Sequence, residues 1–428
     1  MRWLYTLLVY MITPLALLLL VIRGLRNSDW LKRWPQRFGW FEPPERPGGI
    51  VVHAVSVGEV NVASTLVTAL SQHFPEFPLC LTTFTPTGSD RVRSLFRDEV
   101  FHVYVPLDLH GAVKRFFDRV QPAFLIIMET EIWPNLYFEA KRRGIPVMIA
   151  NARISERSIR GYRRFKRMTT AALSQVSCIA AQSELDAGRL IEIGADETRL
   201  EVTGNLKFDV ELPTGLLEQG EAIRQNWGSR RLVLLAGSTH EGDEKPVLEA
   251  FKRLLRQFPG ALLVLAPRHP ERFSRAAQLA QACGLTVCLH SELIDCPPTA
   301  QCFIVDAMGE LLPYYAACDV AFVGGSLEPI GGHNTLEPAA LAKPVLLGPH
   351  TFNFKDITDQ LLNTGAAIRV NNARDLEEVA TRLFKQPDLR DQMGRAGLEL
   401  VESGQGALER TLEIVQEYLG SDITPGAG

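Results

Sequence analysis

The stretch DVAFVGGSLEPIGGHNTLEPAA, residues 319–340, decides how the chain is read. Val320, Ala321, Phe322 and Val323 make a short buried strand. Gly324 and Gly325 turn the chain, a small loop follows, and the spacing predicts a helix from about His333. Four glycines within nine residues, Gly324, Gly325, Gly331 and Gly332, let the backbone approach a ligand and expose its N–H groups. A helix start carries unpaired donors and a partial positive charge, so an anion is its natural ligand. Glu337 in the first turn is placed to accept hydrogen bonds from ribose hydroxyls. Phosphate plus sugar indicates a nucleotide or a nucleotide-sugar. An ordinary strand–loop–helix crossover, with glycines that only make turns, gives the same pattern.

Outward from this stretch, strands and helices alternate. Toward the C-terminus the apolar runs fall at 232–236, 261–266, 286–289, 303–305, 320–323, 345–347 and 367–370. An earlier series falls at 50–55, 79–85, 100–106, 124–128, 147–150, 178–181 and 200–203. Between runs the apolar residues take helical spacing, as at Val60, Ala63, Val67, Leu70 and Phe74. Such alternation predicts an α/β protein with two doubly wound, Rossmann-like halves facing a cleft, ligands lying at the C-terminal strand ends. The expected division is an anchor at 1–22, a juxtamembrane segment at 23–47, a first domain at 48–205, a linker at 206–230, a nucleotide-binding domain at 231–405, and a C-terminal helix and tail at 406–428.

A chain of 428 residues exceeds one compact core, in keeping with two domains. A net charge of -4 argues against nucleic-acid binding. Seven cysteines form no CxxC pair, which speaks against zinc and against a disulfide framework; Cys178 and Cys318 read as small apolar fillers beside strands.

Residues 3–22, WLYTLLVYMITPLALLLLVI, carry no charge and are long enough to span a bilayer. Arg23, Arg26, Lys32, Arg33 and Arg37 follow, and only Arg2 and the terminal amine precede. The positive-inside rule then puts the N-terminus outside and the rest in the cytoplasm, as a single-pass signal-anchor. A cleaved signal peptide competes, but no small-residue cleavage site follows. A helix lying in one leaflet is the alternative, since a proline such as Pro14 can break a span. Trp30, Trp34 and Trp40 place residues 23–48 against the inner leaflet, or make a plain linker.

Polar residues gather at strand ends. The run 50–55 leads into Ser56-Val57-Gly58-Glu59 at a helix start, whose dipole favours an ionised carboxylate suited to a general base; simple capping is the competing role. The run 124–128 ends in Glu129 and Glu131 ahead of Pro134, at the same edge. In the second half, Ser238, Thr239 and His240 end one strand, and Pro267, Arg268 and His269 end the next. Arg268 offers a forked donor for phosphate. Met308, Gly309 and Glu310 end a third. With Gly324, Gly325, Ser326, Gly332, His333, Asn334, Thr335, Leu336 and Glu337 they describe a nucleotide site. No P-loop, GxSxG or GxGxxG accompanies them. A one-signed cluster, including Arg153, Arg160, Arg163 and Arg164, suits anionic headgroups or a phosphorylated acceptor, or a solvated helix face.

HAVSVGE at 53–59, TTFTPTGS at 82–89, METEIWPN at 128–135, IANARIS at 149–155, STHEG at 238–242, APRHPERF at 266–273, DAMGEL at 306–311 and GPHTFNFKDI at 348–357 join the opening stretch. Together they resemble the Kdo (3-deoxy-D-manno-octulosonic acid) transferases of Gram-negative bacteria, over nearly the whole chain. The resemblance implies a GT-B glycosyltransferase, inverting and without a metal or other cofactor. Its donor is CMP-Kdo and its acceptor a lipid A precursor (lipid IVA), for lipopolysaccharide core synthesis. It implies Glu59 as catalytic base, and Pro267, Arg268, Met308 to Glu310 and Asn334 to Glu337 as CMP contacts. Glu328-Pro329-Ile330 inside the glycine loop is a local departure. A nucleotide-sugar epimerase of the same shape and an anchored two-lobed binding protein remain as rivals.

Overall fold

A computed structural model describes residues 2–292 and 296–420. Among them, two parallel seven-stranded sheets form, each from one of the two series of apolar runs. The first comprises β1 (Ile50–His53), β2 (Leu79–Thr83), β3 (Phe101–Tyr104), β4 (Phe124–Met128), β5 (Val147–Ala152), β6 (Cys178–Ala181) and β7 (Leu200–Val202), in the order β3-β2-β1-β4-β5-β6-β7. The second comprises β8 (Val233–Thr239), β9 (Leu262–Pro267), β10 (Val287–Leu289), β11 (Cys302–Ile304), β12 (Val320–Val323), β13 (Val345–Leu347) and β14 (Ala367–Arg369), in the order β10-β11-β9-β8-β12-β13-β14.

Both faces of each sheet are covered by helices, so the strands read as continuous apolar runs rather than alternating ones. In β1 and β4, Ile50, Val52, Phe124 and Ile126 enter one core and Val51, Leu125 and Ile127 the other. The order also fixes where ligands go. The first sheet grows outward from β1 to β3 and restarts on the other side of β1; the second runs from β8 to β9, places β10 at the edge and β11 between β9 and β10, and restarts on the other side of β8. The reversal lies between β1 and β4 in one sheet and between β8 and β12 in the other. Strand ends diverge there and leave a crevice at the C-terminal edge.

The chain divides into two compact units, Val210–Gly404 and the remainder. Helix Ala407–Gly420 returns to the first unit, with Ala407, Val415 and Leu419 buried in its core. The Asp209 carboxylate holds the return, accepting the N–H groups of Gly406 at 2.7 Å and Leu408 at 2.8 Å. Residues 421–428 of the expected 406–428 tail lie outside the described residues. The stretch 206–230, expected as a linker plus an entry helix, has its first residues folded into the first unit. Leu206–Phe208 is a buried turn of the first unit, where the Leu206 N–H meets Asn151 Oδ1 at 3.0 Å. Helix Leu216–Trp227 belongs to the second, with Arg224 paired to Asp319 at 2.9 Å.

Residues 23–48 also depart from expectation, because they fold onto the first unit. The Arg37 guanidinium is buried over the rings of Phe84 and Tyr104, at 4.8 and 4.4 Å, and donates to the Phe84 carbonyl at 2.9 Å. Arg33 donates to the His102 carbonyl at 2.7 Å. Aromatic faces far along the chain attract these cations where the sequence shows only basic residues beside an anchor.

Candidate active site

In the first unit the site begins at Ser56, which caps helix Val57–His73. Ser-Val-Gly-Glu has the capping-box spacing, but Glu59 folds back one residue further than that motif, to the N–H of Val55 rather than that of Ser56. Its carboxylate accepts the Val55 N–H at 2.8 Å and the Ser56 hydroxyl at 3.1 Å. Capping therefore orients this side chain. A helix N-terminus alone predicts an ionised group, but burial outweighs it. Desolvation pushes the Glu59 carboxyl up to about 7, and Glu129 and Glu131 push it the same way against the Val55 and Ser56 hydrogen bonds.

Those two acids leave the tip of β4, across the reversal from β1. Glu129 sits at φ +57°, which turns the chain sharply. Arg153 bonds Glu129 at 3.1 Å, and the Thr130 hydroxyl donates to the Arg153 carbonyl. Glu131 accepts the Trp133 indole N–H at 3.0 Å, and burial raises its carboxyl as well. Glu59, Glu129, Glu131 and Arg153 thus come to one edge. Arg160 and Arg164 are exposed on helix Glu156–Arg164, while Arg163 turns to Glu192, with Nη2 2.8 Å from Oε2.

In the second unit the tips of β8, β9 and β12 adjoin. β8 bulges at Ser238, whose φ is +54°, and the Thr239 carbonyl receives the Arg268 N–H at 2.9 Å. The helix after the glycine loop begins later than expected, at Leu336, and ends at Ala340. Gly331 and Gly332, at φ +112° and +75°, keep the loop open up to Asn334, whose Oδ1 takes the Leu336 N–H at 3.1 Å. Five residues make a weak dipole, so the exposed backbone and neighbouring side chains carry more of any anion site than the helix does.

These side chains are polar and close. His240 and His333 stack with planes 4° apart and share a contact of 2.8 Å between their Nε2 atoms. His269 meets His240 edge-on at 5.2 Å. Burial lowers His333 to about 4, and the charge of nearby Arg268 adds to this, leaving the ring neutral. Glu337 is half-buried, and desolvation raises its carboxyl, although Asn334 donates to it at 3.1 Å and Arg268 lies near. Gly325, at φ +67°, holds a backbone conformation that favours glycine, and a Cβ there would press on the His333 ring at 3.0 Å. Met308, Gly309 and Glu310 form an exposed turn ahead of helix Leu311–Ala317.

Some of these residues also have structural contacts. The Ser326 hydroxyl is buried, donating to the Val323 carbonyl at 2.5 Å and accepting the Gly348 N–H at 2.8 Å. Gly324 permits backbone packing, since its Cβ would sit 2.5 Å from the Ser238 carbonyl. Leu336, Thr239 and Thr335 are also buried. Conversely, Asp243 went unread in the sequence. Fully buried, it accepts the N–H groups of His240 at 2.9 Å, Gly325 at 2.7 Å and Leu327 at 3.1 Å, tying the β8 tip to the glycine loop. Its position three residues after His240, at a helix start, is the local signal that marks it.

Two Rossmann-like units with polar strand tips at their switch points make the GT-B class of fold. Solved structures of that shape include a glycosyltransferase from Rickettsia africae, with TM-score 0.53 and 16% identity over 87% of this chain and 99% of that one. Another is UDP-GlcNAc 2-epimerase from Neisseria meningitidis bound to UDP-GlcNAc, with TM-score 0.54 and 15% identity over 86% and 100%. At such identities they show the fold alone. The model of glycosyl transferases group 1 matches residues 238–400, and that of 3-deoxy-D-manno-octulosonic-acid transferase (kdotransferase) matches residues 32–210. The 3-deoxy-D-manno-octulosonic acid transferase of Haemophilus influenzae is 39% identical over 427 residues, 99% of this chain and 100% of that one. That of Bordetella pertussis is 37% identical, over 94% and 98%. The chain belongs to the 3-deoxy-D-manno-octulosonic acid transferase family.

Proposed function

We propose that this enzyme transfers Kdo from CMP-Kdo to a hydroxyl of a lipid A precursor, with Glu59 as general base. The observation that carries the reading is the Glu59 carboxyl, tuned by burial to about 7 and oriented by Val55 and Ser56. Near neutral pH such a group takes up a proton as readily as it releases one. The acceptor oxygen attacks the anomeric carbon of Kdo, its proton passes to Glu59, and the bond from that carbon to the CMP phosphate oxygen breaks. The electron pair leaves with CMP. One attack from the face opposite the leaving group inverts the anomeric configuration.

CMP is assigned to the edge of β8, β9 and β12. Arg268 and the N–H groups of the glycine loop would meet the departing phosphate, and Glu337 the ribose. Pro267 shapes the strand tip, and Met308 to Glu310 border it. Asn334 keeps Glu337 in place at 3.1 Å. We propose no metal; among the described residues no three His, Cys, Asp or Glu side chains form a ligand set. Exposed Arg160 and Arg164 suit an anionic lipid acceptor. The enzyme is assigned to the inner membrane with its catalytic units on the cytoplasmic side. CMP release measured with CMP-Kdo, with and without lipid IVA, tests the reading, and release indifferent to lipid would overturn it.

A further inference from the structure

We infer that the N-terminal helix, Arg2–Arg26, lies in the plane of one leaflet, clamped to the catalytic unit at both ends, and does not cross the bilayer. The inference rests on the membrane association that the helix's composition indicates and is independent of the donor assignment. Its first turn is held by polar bonds to the first unit. The Tyr5 hydroxyl donates to Asp108 Oδ2 at 2.7 Å and the Thr6 hydroxyl to Asn135 Oδ1 at 2.9 Å, while the Arg2 guanidinium lies 5.2 Å from the Phe138 ring centre. Asp108 is a built receptor: buried, it also accepts the N–H groups of Asn135 and Leu136, each at 2.9 Å. At the other end, Gly24 is buried against Leu31 and Arg23 lies 5.1 Å from the Trp30 ring centre, in a short turn that Arg33 ties to the unit by donating to the His102 carbonyl at 2.7 Å.

Eighteen residues separate Tyr5 from Arg23, about 27 Å at 1.5 Å per helical residue. A bilayer core is about 30 Å thick. A spanning helix would therefore carry Tyr5 to the far interface, where Asp108 cannot follow, because it belongs to the same unit that Arg23 and Trp30 join at the near one. Exposure follows the docking. Residues 2, 5, 6, 9, 13, 16, 17, 20 and 24 are sheltered at helical spacing. The opposite stripe, which includes Leu4, Leu7, Met11, Leu15, Leu18 and Leu25, is exposed and uncharged. Lipid is the occupant that fits this stripe: it is unbroken by polar groups along its length, and Arg23 and Arg26 close its C-terminal end beside the anionic surface of a leaflet.

The docked end also adjoins the candidate acceptor edge. Asn135 follows Trp133, whose indole bonds Glu131. An in-plane helix thus sets that edge beside the membrane surface, where a lipid acceptor's polar headgroup lies.

Full-length enzyme with a protease-cleavable tag ahead of Met1 tests this in spheroplasts and inside-out vesicles. Cleavage only from the side that exposes the catalytic units is expected; cleavage from the opposite side would overturn the inference. A Thr6→Cys, Asn135→Cys pair, oxidised in membranes, is expected to cross-link in most molecules and keep activity. An active pair that fails to cross-link would overturn it. Trp3, 86% exposed on the stripe, reports the occupant. Brominated lipid should quench wild type more than Trp3→Phe, and equal quenching would mean that protein, such as a second copy, covers the stripe.

Discussion

Glu59 is both a helix cap and the proposed base, and the two roles use different states of one carboxyl. Its pKa, raised to about 7 by burial, lies above that of an unfolded glutamate. Between those values the folded protein holds more protons than the unfolded one. The Glu59 contribution to stability is thus fully present below the unfolded pKa and is lost as pH rises through about 7. Activity should run the other way, rising through the same pH as the base ionises. A kcat/KM profile measured alongside thermal unfolding should show the opposed limbs, and Glu59→Gln should remove both. That variant should lower turnover by about 10²- to 10⁴-fold while CMP still binds, read by single-turnover assay and calorimetry. Arg268→Ala should weaken CMP by about ten- to a hundred-fold, the range of a lost charge-assisted hydrogen bond, and calorimetry checks it.

At the scale of elements, strand tips were legible in the sequence because a buried run ending in polar residues has one reading in a parallel sheet. Glu59, Glu129 and Arg268 emerged that way. Where the helix starts after the glycine loop was not legible, since His333 and Asn334 suit a first turn as well as a loop; the positive φ of Gly331 and Gly332 postpones it. Asp243 stayed hidden because two of its partners, Gly325 and Leu327, lie more than eighty residues onward. Asp243→Ala would strand three N–H groups, each worth about 1–3 kcal/mol when buried and unpaired. It should lower the melting temperature and weaken CMP at least about tenfold, while leaving intact the first unit, where Glu59 resides. On helix Glu156–Arg164, neutralising Arg160, Arg163 and Arg164 together should raise the acceptor KM more than the donor KM; steady-state kinetics with each substrate varied gives the comparison.

For the whole molecule, the two-unit plan was readable from the two series of runs, but the return of the last helix was not. Ala407, Ile414, Val415 and Leu419 look like one amphipathic face, and sequence alone does not name the core they enter. They complete the first unit, so a chain ending at Gly404 should lose several kcal/mol of that unit's stability, at about 1.5–3 kcal/mol per large buried side chain. Urea unfolding of the truncated chain would show the loss in the first unit. Likewise, Arg33 and Arg37 look bound for lipid until His102 is brought beside the first and Phe84 and Tyr104 beside the second. The central claim is the acceptor-dependent transfer of Kdo by a base in the first unit from a nucleotide held in the second. The most direct measurement is turnover of CMP-Kdo by the purified full-length enzyme with lipid IVA, following CMP and the glycolipid together. Equal amounts of CMP and Kdo-bearing lipid, with inverted anomeric configuration and almost none of either from Glu59→Gln, are the predicted result. CMP released without lipid product, or Glu59→Gln turning over at the wild-type rate, would contradict it.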